Sequence, residues 1–587
     1  MTRREAIEGG LLAPFCLAMA GAALTIVRYF IVRFVTHGIV FSGLDVLWIT
    51  PAGYVLLLLV ASLPLAILLA LSPRPLFWRA LVFCSAWLML YNVGLLFRQI
   101  WPIALMVLSA GCAWRIAVAA GLDPSPLLPK LRRLAGISLA LPAVGLICAR
   151  VAPPLLAHQR IARLAPLPDS TPNVLLLIID TERAQNLSLY GYSRPTSRRL
   201  DTLARSSTVF DWAIAAAPWT LASHASMFSG LPASQTSVRR SSRPFTDDVP
   251  RLADVLRNRG FATGGFAANF TYAGPASGLE RGFITYLHRP VNLGRIIRAT
   301  PFWQTPVGIR LWRQAGLRGL LPVQPREMIR NFFPEGPYWS GAQICQAFLD
   351  WQRSTDGHPF FAFLNLLDVH EYHRPGRLPD DVWAVPANLS GYDDAMAYDD
   401  SVVGAMLDTL AARGVLDHTL LVVTADHGEQ FLEHHLRGHS NSLYAQLVHV
   451  PLLMRYPGVV PSGLRVTTTV SGRDLAATIA DLTHLRDAPL PGLSIAETWR
   501  RPAAARPPAL SEVERDRTVH SESPAVGGAL RSLVDADWHY IWRADGTEWL
   551  FRYREDTGEE RNVVADPANA GVLARMRTAL QRIPFGY

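Results

Sequence analysis

The sequence predicts a bundle of membrane-spanning helices followed by an α/β domain on a mainly parallel sheet, with a small antiparallel subdomain at its end. Three observations carry this. Charged residues are scarce up to about residue 153 and ordinary in number beyond it. Beyond residue 172, three short apolar runs each end in an acidic residue. Helical stretches separate those runs, and strand-helix alternation of that kind argues for a parallel sheet. At 587 residues, half of them apolar, the chain is too long for one ordinary domain.

Five apolar runs come first, at about 9–31, 52–72, 76–97, 99–120 and 134–153. Each approaches or reaches the roughly 20 residues that a helix needs to cross a bilayer. A cleavable signal peptide would account for the first run alone; four more follow it, which predicts a polytopic anchor over 1–153. Arg3 and Arg4, Arg74 and Arg79, then Lys130, Arg132 and Arg133 fall on alternate connections, and the others hold only Arg33 and Arg98. The positive-inside rule then keeps the N-terminus in the cytoplasm, and an odd number of spans delivers the rest of the chain outside. Cys16, Cys84, Cys112 and Cys148 lie within the apolar runs. Cys345 stands alone in the remainder, which excludes an internal disulfide or a cysteine-based zinc site there. A net charge of +9 suits an anionic surface but decides little by itself.

The Pro-rich stretch "VAPPLLAHQRIARLAPLPDSTP" (151–172) lacks periodicity and reads as a linker, placed at 154–172. "NVLLLIID" (173–180), "PFFAFLNLLDVH" (359–370) and "TLLVVTADHGE" (419–429) read as strands buried on both faces. Stretches 249–260 and 391–414 read as helices between them. The main α/β domain is placed at 173–500 and the terminal subdomain at 501–587. In that subdomain, 528–556 alternates as antiparallel hairpins and 567–582 reads as a closing helix. Ligands of such sheets collect beyond the carboxyl ends of the strands. Those ends carry Asp180, Asp368 with His370, and Asp426 with His427.

"TADHGEQFLEHHLRGH" (424–439) is the densest polar cluster. Asp426 and His427 offer the oxygen and nitrogen ligands that divalent cations take; the alternative is a solvated polar loop. Glu429, Glu433, His434 and His435 fit either an outer shell or plain loop. Asp180 alone reads as a helix cap as readily as a ligand. In "APWTLASHASMFSG" (217–230), Leu221, Ala225 and Phe228 keep helical spacing and Gly230 is a stop signal. Thr220 or Ser223 caps that helix, or a hydroxyl there serves as a nucleophile in the positive field of the helix start. Both readings are open at this level. Arg183 either reaches an anionic substrate or forms a surface ion pair.

Several segments in order resemble the sulfatase family of the alkaline phosphatase superfamily. They are "NVLLLIIDTERAQNLSLYGYSRPTSRRLDTLA", "PWTLASHASMFSG", "RLADVLRNRGFATGGFAAN", "ERGF", "PFFAFLNLLDVHEYHRP", "LLVVTADHGEQFLEHH" with "GH", and "VPLLMRYPG", spread over about 172–485. The tail "WLFRYREDTGEERNV" is similar to the family's C-terminal subdomain. The resemblance implies a sheet sandwiched by helices and one site for a divalent metal ion, zinc, manganese, calcium or magnesium, held by Asp180, Thr220, Asp426 and His427. It implies Thr220 as nucleophile, His370 as the acid near the leaving group and His439 on the anion.

Two departures bear on the reaction. Thr220 stands where formylglycine sulfatases need Cys or Ser, and Leu221-Ala222-Ser223-His224 lacks the Pro and Arg of the modification motif. Thr181 stands where a second Asp is common. A threonine nucleophile with an Asp-His pair instead resembles the phosphoethanolamine and phosphoglycerol transferases, although that branch usually has Glu at the position of Asp180. The expectation is a metal-dependent phosphoester transferase or hydrolase in a bacterial-type inner membrane, its catalytic domain periplasmic, working through a threonyl ester. The alternatives are a sulfatase working without formylglycine and a catalytically silent membrane-bound binding protein. The expected partners are the bilayer and an anionic ester, a lipid headgroup or surface glycan, with no nucleic acid. The segment 281–330, with nine Arg, one acidic residue and interleaved aromatics, reads as a substrate loop or membrane-facing insertion, or as solvated surface.

Overall fold

The computed structural model describes residues 2–31, 45–96, 100–238, 244–245, 248–287, 296, 299–305, 339–355, 357–372, 390–485, 487–516, 523–584 and 586. The chain divides into two compact units, Met1–Leu155 with Pro290–Pro337, and Leu156–Arg289 with Tyr338–Tyr587.

Among the described residues, the first unit has five helices long and apolar enough to cross a membrane, which is compatible with a membrane anchor. They are α1 (Arg3–Phe30), α2 (Val46–Leu71), α3 (Pro75–Gly94), α4 (Pro102–Ala119) and α5 (Leu128–Arg150). α1 starts ahead of its apolar run because Thr2 and Glu5 form a reciprocal capping box. The Glu5 N–H donates to Thr2 Oγ1 at 3.2 Å and the Thr2 N–H to Glu5 Oε2 at 2.6 Å. α3, α4 and α5 each begin with Pro in the first turn, where the missing N–H has no intrahelical partner to lose. Val60, Leu71, Leu76 and Val107 face outward and exposed, an apolar exterior that suits hydrocarbon. Most of the basic-aromatic segment 281–330 lies outside the described residues. Its turn Pro301–Gln304 is described, and there the Phe302 N–H donates to Asn92 Oδ1 of α3 at 2.9 Å.

Within the stretch read as a linker, Ala152–Ile161 forms a helix, α6. Pro153 and Pro154 fall in its first turn, where N–H groups need no intrahelical acceptor, so they start the helix instead of breaking it. Ile161 at its end is buried in the core of the second unit.

The second unit is built on an eight-stranded sheet. Its strands are β1 (Asn173–Ile179), β2 (Thr208–Phe210), β3 (Ala262–Ala267), β4 (Thr285–Tyr286), β5 (Phe360–Leu366), β6 (Thr419–Ala425), β7 (Leu452–Arg455) and β8 (Leu464–Val466). The order is β8-β2-β7-β6-β1-β5-β3-β4, with β7 alone antiparallel to its neighbours. Leu176 and Ile178 of β1 point into one core and Leu175, Leu177 and Ile179 into the other. With both faces covered, neither can be polar, which is why these strands read as continuous apolar runs. Helices α7 (Arg198–Ala204), α8 (Thr220–Ser229) and α9 (Ser390–Ala412) lie between strands in the chain. The Asp400 carboxylate of α9 accepts the Arg199 and Leu200 N–H groups of α7 at 2.8 and 2.9 Å, pinning the two together.

The terminal antiparallel sheet has four strands, Ala509–Val513, Leu530–Val534, His539–Arg543 and Glu548–Phe551, packed under the helix Ala570–Gln581. The hairpin pattern starting at 528 misses the first of these strands. Its buried Glu512 interrupts the apolar alternation and is matched by Arg531 on the neighbouring strand at 3.0 Å.

Candidate active site

β6, β1 and β5 are adjacent and parallel, and the register pairs Ile179 with Leu366 on one side and Ala425 on the other. The residues that follow these strands therefore meet at one carboxyl edge, level with one another.

Asp180 follows β1, and its N–H donates to Leu366 O at 3.0 Å. Its Oδ2 accepts Asn269 Nδ2 at 2.9 Å and Asn365 Nδ2 at 3.4 Å, while Oδ1 is buried with no hydrogen-bond partner among the described residues. Asp426 Oδ1 accepts the Thr181 N–H at 3.2 Å and the His427 N–H at 2.9 Å, and its Oδ2 is likewise buried without a donor. His427 Nδ1 lies 2.9 Å from Gly428 O, so that nitrogen carries the proton and Nε2 keeps its lone pair for the site. One ligand atom from each of Asp180, Asp426 and His427 lies within 4.8 Å of the other two.

The electrostatics of this group favour a cation. Burial, then the charge of Asp180, pushes the Asp426 carboxyl well above the usual carboxylate range. Burial, then the neighbouring His439, holds His427 well below the usual imidazole value, so Nε2 stays unprotonated. Two orphaned carboxylate oxygens and one imidazole lone pair, out of water, match the ligand preferences of one divalent cation.

Thr220 is the first residue of α8. The N-cap is Trp219, in extended backbone, and no side chain caps the helix. Neither Thr220 nor Ser223 has the capping role considered from sequence. Ser223 Oγ donates to Asp426 O at 2.7 Å. Thr220 Oγ1 lies 3.5 Å from His427 Nε2 and 3.4 Å from Asn269 Nδ2. Gly230 ends α8 at φ 77°, and a Cβ there would lie 2.0 Å from Pro491 O, so only glycine fits. His224, one turn on from Thr220, holds Thr220 O through Nδ1 at 2.8 Å. Burial pushes its imidazole down, and it lies 3.6 Å from Asp426 Oδ2.

The rings of His370 and His439 stand 5.3 Å apart and those of His427 and His439 4.6 Å apart, centre to centre. His370 and His439 are each backed by a buried glutamate. His370 Nδ1 is 3.4 Å from Glu371 Oε1, and His439 Nδ1 is 3.3 Å from both oxygens of Glu429. Burial pushes the His370 imidazole down, but the Glu371 contact and the charges of Asp180 and Glu429 outweigh it and raise the group to about 9.

Arg183 is buried, and its guanidinium is engaged by protein. Nη1 donates to Glu433 Oε1 at 2.7 Å and Glu429 O at 3.2 Å, Nε donates to Asn186 Oδ1, and the group lies over the Phe431 ring. The ion pair considered from sequence is thus present, with the guanidinium buried and Glu433 half-buried. Burial pushes Glu433 up, but Arg183 outweighs it and holds the carboxylate below its usual value. Asp368, grouped from sequence with the other strand-end acids, accepts the Gly341 N–H at 2.5 Å, the first N–H of the helix Gly341–Gln352 that Ser340 caps. His434 stacks on Tyr444 with ring centres 3.7 Å apart, and His435 is exposed.

Sequence reasoning missed Asn269, Asn365, His224 and Glu371. Asn269 carried a usable signal, because it follows β3 at the same sheet edge as the acids. Asn365 is a lone amide inside an apolar strand.

Residues 172–485 match the family model described as Sulfatase. The protein is 24% identical to the choline-sulfatase of Rhizobium meliloti over 445 residues, 68% of this chain and 83% of that one. It is 24% identical to the Delta 4,5-hexuronate-2-O-sulfatase of Bacteroides thetaiotaomicron over 457 residues, 70% and 88% of the two chains. Among solved structures it is similar to the phosphonate monoester hydrolase of Agrobacterium radiobacter, with a TM-score of 0.53 and 21% identity over 70% of this chain and 95% of the other. At that identity the likeness is one of fold.

Proposed function

The chain belongs to the sulfatase family of the alkaline phosphatase superfamily and is an enzyme of hydrolase type, and from that premise we propose that it cleaves or transfers a phosphoester through Thr220. The observation that carries this reading is the position of Thr220 Oγ1, 3.5 Å from His427 Nε2 and 3.4 Å from the Asn269 amide that also holds Asp180.

Thr220 stands at the positive end of α8, whose field favours its alkoxide and an anionic ester beside it. Asp180, Asp426 and His427 are the residues that would hold a divalent cation, with Thr220 beside them. Such a cation, when bound, lowers the pKa of the nucleophile and neutralises charge on the nonbridging oxygens. Thr220 Oγ attacks phosphorus in line, and the bond to the departing alcohol breaks as the threonyl ester forms. His370, raised to about 9, is protonated at neutral pH and gives its proton to the leaving oxygen. His439, oriented by Glu429, faces the nonbridging oxygens. Water releases the group in a hydrolase, and a second alcohol releases it in a transferase.

Phosphorus is favoured because threonine cannot be oxidised to formylglycine, and Leu221-Ala222-Ser223-His224 lacks the Pro and Arg of the modification motif. Hydrolysis of a sulfate ester without formylglycine is the second reading, favoured by the relatives named as sulfatases. The five apolar helices and the loop charges support a multi-pass anchor in a bacterial-type inner membrane with the site on the periplasmic side. A lipid headgroup or surface glycan ester is the substrate class within reach of that position.

Intact mass spectrometry of the full chain, after incubation with phosphoethanolamine, phosphoglycerol and sulfate donors, tests the proposal. A phosphoryl-type adduct on wild type that is absent in Thr220→Ala supports it, with turnover falling by roughly three orders of magnitude or more. Undiminished turnover in Thr220→Ala refutes it.

A further inference from the structure

The bend between β1 and the site contains a conformation that needs support. Thr181 follows Asp180 with φ 65°, in the left-handed region that a β-branched residue enters only when its surroundings impose it. That conformation does two things for the site. It turns the chain away from the sheet directly after Asp180, and it aims the Thr181 N–H at Asp426 Oδ1, 3.2 Å away. Relaxing Thr181 to an ordinary φ would swing this N–H off Asp426 and carry the Asp180 carboxylate with it.

The support comes from α9. Tyr392 is fully buried, and its hydroxyl donates to Thr181 O at 2.6 Å while accepting the Arg183 N–H at 3.0 Å. One oxygen atom thus ties the backbone on both sides of residue 182. The phenol ring is itself fixed by edge contacts with Phe431, 4.8 Å away, and Tyr372, 5.7 Å away between ring centres. Thr181 Oγ1 meanwhile donates to Asp180 O at 2.6 Å, so the residue has no local hydrogen-bonding reason to release Tyr392.

We propose that Tyr392 is a positioning residue for the cation site, its hydroxyl holding the positive φ of Thr181 and so keeping Asp180 and Asp426 in their ligand arrangement. The inference rests on the reading of Asp180, Asp426 and His427 as a metal centre. Removing the hydroxyl leaves the ring packing and all three donor side chains in place, so the loss falls on their mutual geometry.

The test is calorimetric titration of Mn2+ into the full-length chain in detergent micelles. Tyr392→Phe binds about 10- to 100-fold more weakly than wild type, the range over which outer-shell partners of metal ligands act. Thr181→Gly, which takes positive φ without penalty, binds like wild type, and Tyr392→Phe combined with Thr181→Gly returns to within about threefold of Thr181→Gly alone. A general packing role for Tyr392 would not be rescued by a glycine at 181. Binding by Tyr392→Phe within threefold of wild type overturns the inference and leaves the metal centre standing. So does a double variant that remains tenfold weaker than Thr181→Gly, and this pair alone decides the question if Tyr392→Phe does not fold. Wild type that binds no Mn2+ overturns the metal centre and this inference together.

Discussion

Asn269→Ala separates the proposed site from a merely plausible cluster of polar residues. The Asn269 amide donates to Asp180 Oδ2 at 2.9 Å and to Thr220 Oγ1 at 3.4 Å, and the residue is buried. Its removal leaves Asp180 Oδ2 with the longer contact from Asn365, at 3.4 Å. A hydrogen bond to a charged group is worth about 1.5–3 kcal/mol net. At about 1.36 kcal/mol for each factor of ten, that is roughly a 10- to 150-fold loss if the bond acts on the transition state. The measured quantity is kcat/KM for bis-p-nitrophenyl phosphate, with kcat and KM resolved. On the proposed assignment the loss is expected mainly in kcat, because the amide would orient the nucleophile and a site carboxylate while the helix terminus and His439 would hold the anion. Asn269→Asp should be worse at neutral pH, since it cannot donate and sets another carboxylate beside Asp180. Asn269→Ala within threefold of wild type refutes the reasoning, because Thr220 and Asp180 would then not depend on a shared donor.

His370 should impose an alkaline limit on activity. A general acid works only while protonated, so kcat/KM should fall as pH rises through about 9. In His370→Gln that limb disappears and alkyl esters slow by about 10²–10⁴-fold, while p-nitrophenyl esters, whose leaving group needs no proton, change little. An unaltered pH profile in the variant removes His370 from this role. The same shift bears on stability: His370 contributes fully below its ordinary value near 6.5, and the contribution is lost as pH rises through about 9. Glu182 runs the other way. It is buried, its Oε2 has no hydrogen-bond partner among the described residues, and burial, then the charge of Asp400, raises it to about 8. The folded state therefore holds a proton that the unfolded state has released, and stability falls as pH rises from about 4.5 to about 8. Glu182→Gln should raise the thermal midpoint at pH 8 by several degrees, at about 2–4 °C per kcal/mol, and leave it nearly unchanged at pH 4. An equal effect at both pH values contradicts the assignment.

Legibility in the sequence followed the length scale of the forces involved. β1, β5 and β6 stand out because a strand covered on both faces has no polar side to show. The five apolar helices stand out for a related reason, since they are long and apolar enough to suit hydrocarbon. Where one buried polar residue broke a pattern, the reading failed. Glu512 hid the first strand of the terminal sheet, and its partner Arg531 was invisible until the strands were paired. Pro153 and Pro154 hid the helix Ala152–Ile161, because composition cannot distinguish a first-turn proline from a helix breaker.

The sequence by itself determined that Asp180, His370, Asp426 and His427 lie near strand ends, and that parallel strands bring such ends to one edge. It also determined that residue 220 cannot mature to formylglycine, because that depends only on a side chain's covalent structure. Tertiary structure decided what each group faces. Thr220, Asn269 and His427 are far apart in the chain, and only the sheet order brings the hydroxyl, the amide and the imidazole together. The same folding turned Arg183 toward Glu433 and Asp368 toward a helix end, although each had an equally good local claim on the substrate or the metal. Hydrogen bonds are short-ranged and directional, so a buried polar group's role follows from which partner lies within about 3 Å, and chain order does not specify that.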